Sequence, residues 1–335
     1  IDQWTPALRT KGALGANGEG ADLNLLAVDP DALSKLLVDD SMRSVAQQAA
    51  QMLNSESNPA SQPAKIMLPP DTVSLSMTGG LSEPFIDIWS RIKGADGTTT
   101  TILMIPVQDQ SSGADFGSGT FIGAIENESN GPYELLSILI YEPPVGPVGH
   151  KVTLSIENLE AITGSGAVRT IDQFESTDSW YALPTTAGID ETRIEPNSGS
   201  QGSVQAYFGS GTDDGIRGFH SRSDLQHLPI LIGDKFEKSS GLSADDTGFI
   251  TVFGKVVPIK VIGVLDTFAT LDPGSSFTVI DYQTLLDFLA LKIDPVLPNS
   301  AEVFITTSGE SVQDPRTLIE GVDEHDLQVF EFERL

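Results

Sequence analysis

The 335-residue chain carries 47 Asp and Glu against 19 Lys and Arg, a formal net charge of -28, and it has no cysteine. A field of that sign repels phosphate backbones and opposes flat docking on an anionic membrane, so nucleic acid is a poor partner. Disulfides, thiolate zinc sites and cysteine nucleophiles are excluded, and no apolar run approaches the roughly 20 residues that a spanning helix needs. Glycine at 32 and proline at 20 favour many short strands over long helices, and the length calls for two or three domains.

In chain order, Ile1 to Asn24 contains Trp4 and the run GALGANGEG. No strand precedes those glycines and no Lys-Ser/Thr follows, so a phosphate loop is rejected in favour of a flexible loop. Leu25 to Val28 is a short apolar strand, and Asp29-Pro30 opens a helix whose apolar face is Ala32, Leu33, Leu36 and Leu37. A second helical run, Met42 to Leu53, ends in SESNPASQP, which marks a first domain boundary around Gln62.

From Lys65 the character changes to repeated strands. Val73 to Met77, Ile86 to Ile92, Ile102 to Val107, Thr120 to Ile125, Leu135 to Tyr141 and Val152 to Ile156 are separated by Gly/Pro/Asn/Asp turns, the spacing of an antiparallel sandwich. KVTLSIENLEAI is similar to the last strand of galactose-binding-like jelly rolls. Thr170 to Gly218 reads as a second β-rich part, with a short strand at Val204 to Phe208 and a loop at Gly209 to Gly215.

Leu228 to Leu289 is the best-patterned stretch. Phe249 to Phe253 and Val256 to Leu265 are β-branched and aromatic runs broken only by Gly254-Lys255, which predicts a hairpin. Asp272-Pro273-Gly274 supplies a turn, Phe277 to Ile280 a further strand, and Asp281 a helix cap. The helix after it puts Tyr282, Leu285, Leu286 and Leu289 on one face. Leu327 to Phe332 alternates and reads as a final strand.

The order LPILI, polar loop, short strand, GKVVPIKVIGVLDTFATLDP and a strand running into DYQTLL resembles the extracytoplasmic domain of FtsX-like, MacB-type ABC transporter permeases. More narrowly it is similar to the large bacterial members that carry an extra β-rich insertion. The resemblance covers Leu228 to Ile305, and LLAVDPDALSKLL is similar to the start of the same core. It implies an α+β core built from residues 1–64 and 223–335, interrupted by a jelly-roll-like antiparallel β-sandwich at 65–165 and a β-rich return at 166–222. It also implies an extracytoplasmic location, anchored by transmembrane helices outside this chain, which would be a soluble piece cut from between them. The implied partners are a separate cytoplasmic ATPase subunit and an external protein or glycan, with no enzymatic activity and no cofactor in this chain. The missing P-loop agrees with that division of labour. The alternative is a secreted or surface carbohydrate-binding β-sandwich protein.

Candidate chemistry is sparse. His150, His220, His227 and His325 lack zinc-ligand spacing and read as surface histidines. Three Gly-Ser-Gly triplets, at Ser118, Ser165 and Ser210, lack the outer glycines of a nucleophile elbow and read as turns. Carboxylate pairs such as Asp39-Asp40, Asp213-Asp214 and Asp245-Asp246 follow from composition alone. A structural calcium ion would draw on Asp213-Asp214-Gly215 or Asp109 to Asp115, with no ligand assigned. Among the aromatics, Trp89 reads as core, whereas Trp180 and Tyr181 sit in a polar stretch and are the candidate ligand-binding residues, as a platform for sugar.

Overall fold

The computed structural model describes residues 3–56, 65–83, 85–107, 118–126, 131–142, 150–185, 192–196, 202–208, 216–292 and 301–306. Strand dominates, as the composition implied, and it is divided between two sheet systems. Among the described residues no helix is long and apolar enough to cross a membrane. The boundary at Gln62, the loop at Gly209 to Gly215, His325 and the strand expected at Leu327 to Phe332 lie outside the described residues.

The first system is a barrel made from the first and last described parts of the chain. Its strands are β1 (Gln3–Leu14), β2 (Asp22–Val28), β15 (Leu228–Gly233), β16 (Thr247–Val252), β17 (Lys255–Leu265) and β18 (Phe277–Ile280), with β19 (Ala301–Thr306) paired beside β1. The neighbour order β16-β17-β15-β18-β2-β1 closes because β1 also pairs with β16, Gly12 opposite Val252 and Leu14 opposite Ile250. Gly12 permits that closure, since a Cβ there would lie 2.7 Å from the Thr251 carbonyl. The segment expected to be a flexible loop is therefore a 12-residue strand plus a tight connection, with Gly15 and Gly18 at positive φ. Long-range pairing on both sides overrides its weak local pattern.

Leu8, Leu23, Leu25, Ile230, Ile232, Ile250, Val257, Ile259 and Ile280 fill one face of this sheet, and Leu26, Val28, Leu231, Phe277 and Val279 the other. Helices α1 (Pro30–Leu36) and α2 (Asp40–Glu56) cover the second face through Leu33, Ala46, Ala49 and Leu53, and the short helix α3 (Asp234–Ser240) follows β15 with Phe236 buried in the first-face cluster. The Asp29 cap forms as expected, accepting from the amides of Asp31 and Ala32 at 2.9 and 3.0 Å.

The β16–β17 hairpin forms, but its turn residues are Phe253 and Gly254, one position earlier than expected, because Val252 pairs with Lys255. Both turn residues have positive φ, 52° and 69°, which strains a bulky side chain such as Phe253. Phe253 is also 37% exposed, so it gives little packing in return. Phe253→Asn is expected to stabilise the chain by about 1 kcal/mol, read as a higher denaturant midpoint with an unchanged slope.

The second system is a sandwich. One sheet runs β11 (Tyr181–Ala182), β14 (Ile216–His220), β8 (Glu134–Tyr141), β5 (Asp87–Lys93), β6 (Thr99–Val107), with β3 (Ile66–Met67) also on β8. The other runs β6, β7 (Ser118–Ala124), β4 (Thr72–Leu81), β9 (His150–Thr163), β13 (Gly202–Phe208), β12 (Thr192–Pro196), with β10 (Val168–Asp172) on β9. Strand β6 turns the corner, since Thr99 to Met104 pair with β5 and Ile105 to Val107 with β7. Leu75, Met77, Ile88, Ile138, Ile140, Val152, Leu154 and Ile156 form the core between the sheets. In β9 a bulge opposite Thr78 and Gly79 resets the alternation, so that Leu159 and Ala161 continue the inward row begun by Ile156.

Candidate functional site: the polar junction between barrel and sandwich

The two systems meet on α4 (Tyr282–Ala290). Asp281 caps it, accepting from the Thr284 amide at 2.8 Å. The face it buries is Leu285, Phe288, Leu289 and Ala290, so Phe288 takes the place expected for Leu286. These side chains share one cluster with barrel residues and with Leu136, Leu139, Leu183 and Ile216 of the sandwich. Strand β8 is consequently buried on both faces, one toward the sandwich core and the other toward α4. The short 3-10 turn Ser223–Leu225 on the return to the barrel packs there too, through Leu225.

The free carbonyls at the end of α4 are taken by the sandwich. Arg91 Nε donates to the Ala290 carbonyl at 2.8 Å, and the Ser137 hydroxyl donates to that of Leu291. A buried guanidinium at a helix C-terminus satisfies an orphan acceptor and faces the negative end of the helix dipole. Beside it lies a chain of ion pairs. Arg222 holds Asp224 with two hydrogen bonds, of 2.9 and 2.7 Å, and Glu134 with one of 2.9 Å. Its guanidinium is also 3.7 Å from Asp287. Lys65 reaches the other oxygen of Glu134 at 3.1 Å, and Lys93 reaches Asp287 at 3.1 Å. Lys93 and Glu134 are direct partners across β5 and β8, which fixes the spacing between the two ends of the network.

Three carboxylates thus meet three cations in a chain whose overall balance is -28. Burial works against the charge on Arg222, but the hydrogen bond to Asp224 and the charges of Asp224, Glu134 and Asp287 outweigh it and raise the pKa above the ordinary guanidinium value. Next to it, His220 is 1% exposed and accepts at Nδ1 from the Arg222 amide at 3.2 Å, so the surface role expected for this histidine is corrected. Burial drives its pKa down to about 4, with Asp224 opposing the shift and Arg222 reinforcing it, and the ring is neutral at physiological pH.

No family model matches the chain, and no match was found among curated proteins or solved structures.

The sugar platform does not assemble. Trp180 is 5% exposed, stacks on Phe174 with ring centres 5.2 Å apart, meets Phe219 edge-on at 5.2 Å, and donates from Nε1 to Asp172 at 3.0 Å. Its ring is spent on the sandwich core. Tyr181 is half-buried and tilted toward His220. Trp89 stacks on Tyr141 at 4.7 Å and packs toward α4. An open groove of about 570 Å³ runs along Thr170, Asp172, Glu175 and Ser179, but both oxygens of Asp172 are engaged, by Trp180 and by the Phe174 amide. The cleft beneath α4, between Leu183, Val256 and Phe288, measures about 10 Å³, room for one water. Among the described residues no three metal-ligating side chains converge, and the two loops considered for calcium lie outside the described residues.

Sequence reasoning missed the junction. Its charged members are spread over more than 200 positions, from Lys65 to Asp287, and in so acidic a chain none stands out. The available signal was the strand IRGFH with Arg222 after it, two arginines and a histidine in a stretch that otherwise reads as buried.

Proposed function

We propose that this chain is the extracytoplasmic domain of an FtsX-like, MacB-type ABC transporter permease, a non-enzymatic part that passes the motion of membrane helices to an external partner or substrate. The observation that carries the reading is the placement of the two ends of the barrel. A domain held by two membrane tethers must take in and release its chain on one side. Here Gln3 and Thr306, the first and last described residues, are direct partners across the antiparallel pair β1–β19, and 307–335 lie outside the described residues. The finer α+β core rests on the resemblance of Leu228 to Ile305 and on β2–α1 and β18–α4, two parallel strands each followed by an Asp-capped helix.

The junction supports the mechanical part of the reading. A lever works only if the insertion does not swivel on its base. Arg91, Ser137, Lys93 and Arg222 bind the sandwich and the return segment to a single helix of the barrel. ATP hydrolysis would belong to a cytoplasmic subunit, and the external partner to the far surface of the sandwich. The carbohydrate-binding alternative loses Trp180, the ring on which it chiefly relied.

The test is topology in cells. Because this chain has no cysteine, Ser165→Cys on the exposed β9–β10 turn gives it one label site, and labelling of the parent protein without that substitution is the control for the rest of the gene product. Expressed from its whole gene, the protein should stay with membranes after a high-salt wash and react with a membrane-impermeant maleimide in intact cells or spheroplasts. Recovery in the soluble secreted fraction, or labelling only after lysis, would reject the assignment.

A further inference from the structure

The ribbon formed by β1 and β19 extends past the closed barrel, and its two faces differ. On one face Thr5, Ala7 and Phe304 turn toward α1, and Arg9 there holds Glu302 with two hydrogen bonds, of 2.8 and 3.1 Å. The other face presents Trp4 opposite Ile305 and Pro6 opposite Val303. It is apolar throughout, in a chain with 47 acidic residues. Trp4 is 62% exposed and Val303 44%. Trp4 also stands at the extremity of the ribbon, one position from the Gln3–Thr306 pair.

We propose that this ribbon face rests in the interfacial zone of the bilayer, with Trp4 at headgroup level; the inference rests on the tethered-domain reading above. Three observations choose lipid as the occupant. The face begins at Trp4, three positions from Ile1, so a membrane tether preceding it would bring the face to the surface. It offers no charge to a charged protein partner. Its outermost residue is tryptophan, whose apolar ring and single N–H suit the boundary between acyl chains and water. The charge of -28 sets the lipid preference: contact is favoured on zwitterionic headgroups and opposed on anionic ones.

The experiment supplies the tether artificially. Ile1→Cys, coupled to a maleimide lipid in phosphatidylcholine vesicles with brominated acyl chains, places the ribbon end at the membrane. Ser165→Cys, on the sheet that does not face the barrel, is the control attachment. Emission assigned to Trp4 by subtraction of a Trp4→Ser variant should lose most of its intensity on the Ile1→Cys tether and keep it on the Ser165→Cys tether. Adding anionic lipid should restore part of it. Unquenched Trp4 on the Ile1→Cys tether overturns the proposal. So does a Trp4 already shielded from soluble iodide without lipid: shielding that grows with protein concentration identifies a second copy, and concentration-independent shielding identifies another part of this chain. Since the tether is synthetic, failure here leaves the cellular topology result untouched, and the reverse also holds.

Discussion

Arg222→Met is expected to cost about 3–5 kcal/mol and to split the unfolding of the chain into two transitions. Among the described residues Arg222 is the one cation that touches all three carboxylates of the junction, and Glu134 is nearly as buried as Arg222 itself. Removing the guanidinium leaves Glu134 with Lys65 alone, on the more exposed side of the network, and a desolvated carboxylate with half its partners is far costlier than a surface pair. Asp224 is more exposed and returns to water at little cost. Because Arg222 and Asp287 lie on opposite sides of the junction, the loss also loosens the sandwich from α4. Calorimetry or denaturant unfolding with probes in each system checks this. Arg222→Met combined with Glu134→Met should recover most of the loss, since two apolar side chains of similar volume leave no buried charge behind. A single variant within about 1 kcal/mol of the parent, still unfolding in one step, would show that the network does not hold the two systems together.

What was legible in the sequence was local. The Asp29 and Asp281 caps, the hairpin before Leu265 and the strands of the sandwich all follow from period, turn residues and capping within about ten positions. What was hidden depends on pairing at a distance. Gly12 finds Val252 some 240 residues away, and nothing local in QWTPALRTKGAL announces that it closes a barrel. Trp180 misled for a related reason: its polar neighbours suggest exposure, yet Asp172 accepts from both the Phe174 amide and the indole N–H and folds the segment back, so that the ring turns inward. The junction was hidden by abundance, because acidic residues are so common here that only geometry separates the three that meet Arg222 from a solvated face.

Acid should weaken the fold through His220 before most of the carboxylates titrate. In the unfolded chain the ring has an ordinary pKa near 6.5, whereas in the fold burial lowers it to about 4. Above pH 6.5 both states are neutral and the histidine contributes no pH dependence. Between 6.5 and about 4 only the unfolded chain takes up the proton, so stability falls with pH, and below about 4 the loss levels off. A shift of that size corresponds to about 3 kcal/mol. The geometry gives the same sign: Nδ1 already accepts from the Arg222 amide, and protonation would set a second N–H against it with the Arg222 guanidinium close by. Asp224 is the acid that favours the charged ring, while Tyr181 covers the ring without neutralising it. His220→Asn keeps an acceptor near the Nδ1 position and removes the titration. The stability difference between parent and His220→Asn should therefore be flat from pH 8 to 6.5 and shift by about 3 kcal/mol in favour of the variant by pH 4. The subtraction matters because the many other acidic groups of the chain give both proteins a pH dependence of their own. If the two curves stay parallel down to pH 4, His220 is not held neutral by the fold.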